Sequence, residues 1–223
     1  MNSKWVKSES VLDINDRDAN NNNNSNSNNY QAFSLPKPGG PLKPRLDAVK
    51  KKMQVQIDRL EELGRINRLK DTEIFTKLMD SLKNNNTQQL TLLSSELMRS
   101  RQLARVLLLS SVSLEKLTSK ISSASDFGNL VIVLSPAMAV IKNLRSSITP
   151  HVTEMEGELG IISELLSGIL VDAGQVGGFI INFEKANERA VQFLEEVSKV
   201  IDQKMKDEFS KVPELPVIPI TFL

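Results

Sequence analysis

Two long apolar stripes separated by three asparagines constrain the fold of this chain more than any other feature. From Leu46 the apolar residues Leu46, Val49, Met53, Ile57, Leu60, Leu63, Ile66, Leu69, Ile74, Phe75, Leu78, Met79 and Leu82 recur mostly three or four positions apart. That spacing is one face of an α-helix. Gly64 is the only breaker inside the run. At 1.5 Å per residue such a helix extends roughly 55 Å, far beyond the average globular helix. Asn84-Asn85-Asn86 follows. Asparagine side chains compete with the backbone for hydrogen bonds and tolerate left-handed φ, which predicts a turn. Leu90, Leu93, Leu97, Ala104, Leu107, Leu114, Leu117 and Ile121 then return with the same periodicity. Two striped helices joined by a short polar connection predict an antiparallel hairpin over about 46–122.

After Ser122 to Asp126 the predicted helices shorten. Ser135-Pro136 and Thr149-Pro150 each set a capping residue before a proline, the pattern of a helix start. The spacing predicts a short helix over about 136–147 and an acidic one over about 150–172, with Glu154, Glu156 and Glu158 near the positive end of its dipole. Gly174, Gly177 and Gly178 read as a hinge within 173–211. Beyond them Phe179, Phe183, Ala186, Ala190, Phe193, Val197 and Val200 follow a four-three repeat. This last helix needs a partner face, either the hairpin of its own chain or that of a neighbour.

The chain has 8 Phe, 1 Tyr and 1 Trp in 223 residues, so its burial must come from Leu, Ile, Val and Met. Together with long runs free of Gly and Pro this predicts an all-α protein rather than a sheet-based one. Residues 1–41 hold the run Asn20 to Asn29, broken only by Ser25 and Ser27, and then Pro36, Pro38, Gly39, Gly40 and Pro41. Such a segment cannot offset its ordering entropy and is predicted to be disordered. Within it Trp5 and Val6 lie between Lys4 and Lys7, a pattern suited to touching a membrane interface. The start lacks the apolar core of a secretory signal. The greasiest windows, Val131 to Ile141 and Gly160 to Ile181, are interrupted by Ser135-Pro136, Glu164 and Asp172, which argues against bilayer spans. The absence of cysteine excludes disulfides and thiolate metal sites and fits a reducing cytoplasm.

A net charge of +1 conceals an asymmetry. Residues 42–83 carry eleven Lys or Arg against seven acids, and residues 121–211 carry eight against thirteen. The basic half therefore suits an anionic surface, and the acidic half suits the basic one. Lys43, Arg45, Lys50, Lys51, Lys52 and Arg59 gather at the start of the first long helix. They are the candidate membrane-binding residues, each worth on the order of 1 kcal/mol near an anionic bilayer. The alternative is an ordinary solvated basic face. Nucleic acid is the disfavoured anion, since the stretch has no aromatic platforms.

Catalysis has no residue to stand on. His151 is the single histidine, so a histidine metal cluster is excluded and no cofactor is implied. Gly174-Gln-Val-Gly-Gly178 lacks the Lys-Ser/Thr of a phosphate loop. Glu61-Glu62 and Glu195-Glu196 read as solvated faces with no sign of a pocket.

The end of the chain, 212–223, places Pro213, Pro216 and Pro219 three apart, the polyproline II period. Val212, Leu215 and Ile218 then share one edge. A stiff, greasy, nearly extended tail is suited to burial by a partner; the alternative is a plug on its own domain.

The order of these features, basic long helix, asparagine turn, returning helix, shorter acidic helices, glycine hinge, amphipathic helix and proline-rich end, resembles the ESCRT-III family. Arg99-Ser-Arg-Gln-Leu-Ala-Arg105 and Ser122-Ser-Ala-Ser-Asp-Phe127 look like the archaeal cell-division branch, the CdvB-like proteins. The likeness spans about 45–222. Val212-Pro-Glu-Leu-Pro-Val-Ile-Pro219 is similar to the family's MIT-interacting motif. The resemblance implies that Val212, Pro213, Leu215, Pro216, Ile218 and Pro219 line the MIT groove of an AAA ATPase. It further implies a non-enzymatic subunit that polymerises with itself and with ESCRT-III-like paralogues. Such a subunit lies on the inner face of the cell membrane at the division site, constricts or severs the neck, and is disassembled by the ATPase. The sequence ends without the winged-helix domain of the full-length archaeal type, which implies a paralogue recruited by another such subunit. The rival function is a cytosolic helical-hairpin scaffold with no membrane role.

Overall fold

Pro41 opens the first helix, and Pro44 lies in that helix's first turn, where the amide a proline lacks would have had no partner. In the computed structural model α1 therefore runs Leu42–Lys83, starting ahead of the apolar stripe that predicted it. Helices α2 (Thr87–Ser123), α3 (Phe127–Ile148), α4 (Glu154–Gly177) and α5 (Phe183–Glu208) follow. The structure describes residues 41–124, 126–178 and 182–209, all within the unit Leu35–Leu223. Among them every regular element is helical, in agreement with the all-α ESCRT-III-like expectation. The N-terminal segment up to residue 40 and the tail 212–223 lie outside the described residues.

The asparagine turn forms as its chemistry dictates. Asn85 takes a left-handed φ of 53°, and the Asn86 side chain accepts from the Gln89 amide at 3.2 Å to cap α2. α1 and α2 then pack along their length, with Val49, Met53, Ile57 and Leu60 meeting Leu107, Leu114, Leu117 and Ile121 in one large core. Ile74, Leu78, Leu90, Leu93 and Leu97 form a second, smaller core at the tip, drawn from these two helices alone.

Between the two cores the observed seam departs from the expected stripe. Ile66 and Leu69 face solvent, and Gly64, Asn67 and Asp71 take the buried positions. The register from Leu60 to Ile74 therefore runs four, three, four, three through polar residues. Asn67 Nδ2 donates to the Ser100 carbonyl at 2.8 Å, and Ser100 Oγ donates back to Asn67 Oδ1 at 3.2 Å. This satisfied pair makes a polar belt across the hairpin.

α3 begins at Phe127 rather than at Pro136. Asp126 caps it by accepting from the Asn129 amide at 2.8 Å, and the helix continues through Pro136. An interior proline costs about 3 kcal/mol. Leu134, Val140, Ile141, Leu144 and Ile148, all fully buried, each contribute roughly 1.5–3 kcal/mol, so burial outweighs the break. Thr149 likewise closes α3 rather than opening α4, its hydroxyl donating to the Arg145 carbonyl at 2.7 Å. Pro150 then lies in the turn, and α4 starts at Glu154.

Gly174 and Gly177 are inside α4, and only Gly178 takes a left-handed φ, of 63°, as its C-cap. Asn182 caps α5 by accepting from the Lys185 amide at 3.0 Å. On α5 the buried stripe is Ala186, Ala190, Phe193, Val197 and Ile201, with Phe183 and Val200 outside it. α5 packs on α2 and α3 of its own chain, and α4 packs on α1 and α3. Gly128–Ile148 and Glu154–Gly177 are long and apolar enough to cross a membrane by length and composition, a property the windowed sequence reading missed. In the fold their apolar faces are part of the large core.

Candidate functional site: the α1–α4 seam

Arg45, Lys52 and Arg59 stand seven residues apart, two helical turns each, and so share one face of α1. That face meets the acids of α4. Arg45 pairs with Asp172, Lys52 Nζ lies 3.7 Å from Glu158, and Arg59 pairs with Glu154. The order reverses along α4, as expected where it packs antiparallel to α1. Arg45 is 3% exposed, and Gly168 makes room for it: a Cβ there would come 2.8 Å from the guanidinium. Glu154 and Glu158 are more exposed, so each of their pairs holds by no more than about 1 kcal/mol.

The other three candidate cations point elsewhere. Lys50 Nζ lies 2.7 Å from Asp47, and this hydrogen bond holds the Asp47 carboxyl below the usual range. Lys43, exposed one turn before Asp47, adds to that effect. Lys51 is exposed. Three of the six, Arg45, Lys52 and Arg59, are thus turned to α4. Glu156, expected to act with Glu154 and Glu158, instead holds Arg145 of α3 at 2.8 Å.

A second contact ties α5 to the hairpin. Arg105 reaches Asp202 at 2.9 Å and Ser198 at 2.7 Å, Arg68 reaches Glu208 at 3.3 Å, and the Lys120 ammonium lies 5.0 Å from the Phe193 ring centre. Arg101 bonds Asp71 at 3.1 Å and lies between two rings, 6.0 Å from Phe75 and 5.5 Å from Phe209. Arg101 and Arg105 both belong to the segment whose wording carried the family resemblance; Arg105 bonds α5, and Arg101 meets Phe209, the residue that caps its end. The predicted MIT-binding residues Val212, Pro213, Leu215, Pro216, Ile218 and Pro219 lie outside the described residues.

Sequence reasoning missed a cleft of about 570 Å³ between α1, α2 and α5, lined in part by Glu61, Glu62, Glu115 and Lys204. Burial, and then the neighbouring Glu61, push the Glu115 carboxyl above its ordinary value. The only advance signal was the Glu61-Glu62 pair, which periodicity alone cannot match to Glu115. Among the described residues no group of three or more His, Asp or Glu is arranged to hold a metal.

No family model matches the chain, and no solved structure gives a significant match. Curated relatives do match, two archaeal cell-division proteins among them. "Cell division protein B1" of Sulfolobus acidocaldarius is 29% identical over 192 residues, covering 86% of this chain and 88% of that protein. "Cell division protein B" of the same organism is 24% identical over 168 residues, covering 75% of this chain and 63% of that protein. These matches bear out the likeness to archaeal cell-division proteins: over most of its length the chain is similar to both.

Proposed function

We propose that this protein is a filament-forming, membrane-remodelling subunit of archaeal cell division, acting on the inner face of the membrane at the division site. The observation that carries this reading is the α1–α4 seam. The same face of α1 that would supply cations to an anionic bilayer is turned to Asp172, Glu158 and Glu154, so closing and membrane binding are mutually exclusive uses of one surface. Opening the seam would free Arg45, Lys52 and Arg59 together with the apolar face of α4. Lys43, exposed in the closed form, supplies the first electrostatic contact. The names of the two relatives support the division role. The proline-rich tail is the element on which an AAA ATPase with a MIT domain would act to disassemble the polymer.

The test is negative-stain microscopy and flotation with vesicles containing an anionic lipid, at low and high salt. Filaments on vesicles, with binding that falls as salt rises, support the reading. A protein that stays monomeric and unbound at low salt is a helical scaffold without a membrane role.

A further inference from the structure

One edge of α5 faces α3 across a groove. Two adjoining clefts of about 250 and 150 Å³ share Ile132, Pro136 and Arg189, and so run together from Lys185 near the start of α5 to Phe193 and Lys120. The α5 side is cationic. Lys185 and Arg189 are exposed and one turn apart, and neither takes part in an ion pair among the described residues. Phe193 stands one turn further on, with the Lys120 ammonium of α2 over its ring. Against these three cations the described lining holds one acid, Glu196, at the far end. The α3 side is apolar: Ile132 is 55% exposed, and Val133 and Pro136 continue the wall.

Two polar groups in the α3 wall lack a partner. Pro136 has no amide to give the Ile132 carbonyl four residues before it, and Ser135 Oγ is buried with no hydrogen-bond partner. Both serine and isoleucine line the groove. Free cations beside an unmatched carbonyl and hydroxyl suit a peptide, which brings carboxylates and backbone N–H groups together. A bilayer fits less well. The outer face of α5 beside the groove presents Glu184, Glu188 and Glu195, all exposed, and a flat anionic surface would meet them too.

We propose that the α3–α5 groove binds an extended acidic segment of a partner protein, with Asp or Glu at every second position and apolar residues between. The spacing sets that pattern. Lys185, Arg189 and Phe193 with its Lys120 follow one another at roughly 6 Å, four residues of helix at 1.5 Å each. Alternate side chains of an extended chain lie about 6.6 Å apart on one face, so three carboxylates meet the three cations in turn. The residues between them point the other way, toward Ile132, Val133 and Pro136. From Lys185 to Glu196 is roughly 16 Å of α5, which about five extended residues span. Glu196 then repels a fourth carboxylate and fixes the register. The inference does not rest on the membrane reading, because none of these cations belongs to the α1–α4 seam.

The experiment is fluorescence anisotropy of a fluorescein-labelled synthetic peptide of alternating Glu and Val with the full-length protein. Docking predicts saturable binding that weakens as salt rises. Lys185→Ala with Arg189→Ala should weaken it about tenfold, the sum of two exposed ion pairs, and a peptide with Gln for Glu should lose at least as much. Ile132→Ser changes no charge and should also weaken binding, which bulk attraction does not predict. Lys199→Ala, on α5 outside the groove, should bind as the parent does. All of these side chains are exposed, so helicity by circular dichroism should be unaltered. Absence of saturable binding, or equal affinity for the parent and the Ile132→Ser protein, overturns the proposal. Loss of anionic-vesicle flotation in the Lys185→Ala, Arg189→Ala protein, where the parent does not bind the peptide, overturns it in favour of a bilayer contact.

Discussion

Arg45 directs a buried guanidinium at the carboxylate of Asp172, 127 residues away in sequence and across the α1–α4 seam. Asp172→Asn leaves that charge in place without its counterion. The variant should lose about 2–3 kcal/mol of stability, less than a fully enclosed pair because Asp172 is 30% exposed. Urea unfolding followed by circular dichroism measures it. Gly168→Ala should gain helix propensity, about 1 kcal/mol, yet crowd the same guanidinium, so its stability should rise by much less than that.

Neutralising the α4 acids should not be uniform. Glu154→Gln with Glu158→Gln removes both surface pairs to α1 and should increase sedimentable assembly and anionic-vesicle flotation. Glu156→Gln breaks only the contact to Arg145 and should leave both unchanged. A Glu156→Gln protein that assembles as readily as the double variant would separate assembly from the seam.

Removing one partner of the polar belt should expose the other. Asn67→Ala should cost about 1–3 kcal/mol, the penalty of an unsatisfied buried group together with the space left behind. In amide hydrogen exchange, loss of protection should be greatest between residues 72 and 97, where the tip core has no other helix to lean on.

The Glu115 carboxyl sets a pH response. It is held up by burial and by Glu61 of α1, with Lys204 of α5 opposing. Because its folded pKa is raised, its contribution to stability is fully present below the ordinary value of 4.5 and is lost as pH rises through the raised one. Unfolding midpoints should therefore rise on mild acidification from neutral pH, and Glu115→Gln should flatten that segment of the profile.

The hairpin was legible because its signals are local. Three- and four-residue spacing, and asparagine's tolerance of left-handed φ at Asn85, need no knowledge of partners. Pro136 misled for the opposite reason: a local stop signal was overridden by a buried face assembled from three other helices. The same holds for Ile66 and Leu69, apolar residues left outside while Asn67 and Asp71 went in, since only the cross-helix partners Ser100 and Arg101 make those polar positions acceptable. Of the six basic candidates, the seven-residue spacing of Arg45, Lys52 and Arg59 was visible in the sequence, but its meaning depended on where α4 lies.

Along the hairpin, residues facing each other across the two helices sum to nearly the same number: Asn67 with Ser100, Arg101 with Asp71, each pair bonded. A displacement of α1 by seven positions would set the Asn67 amide against Leu93 or Leu107, stranding it in hydrocarbon. The rods are consequently free to part or to bend but not to creep lengthwise, and any exchange of α1 between two molecules would have to reproduce this alignment like the teeth of a key.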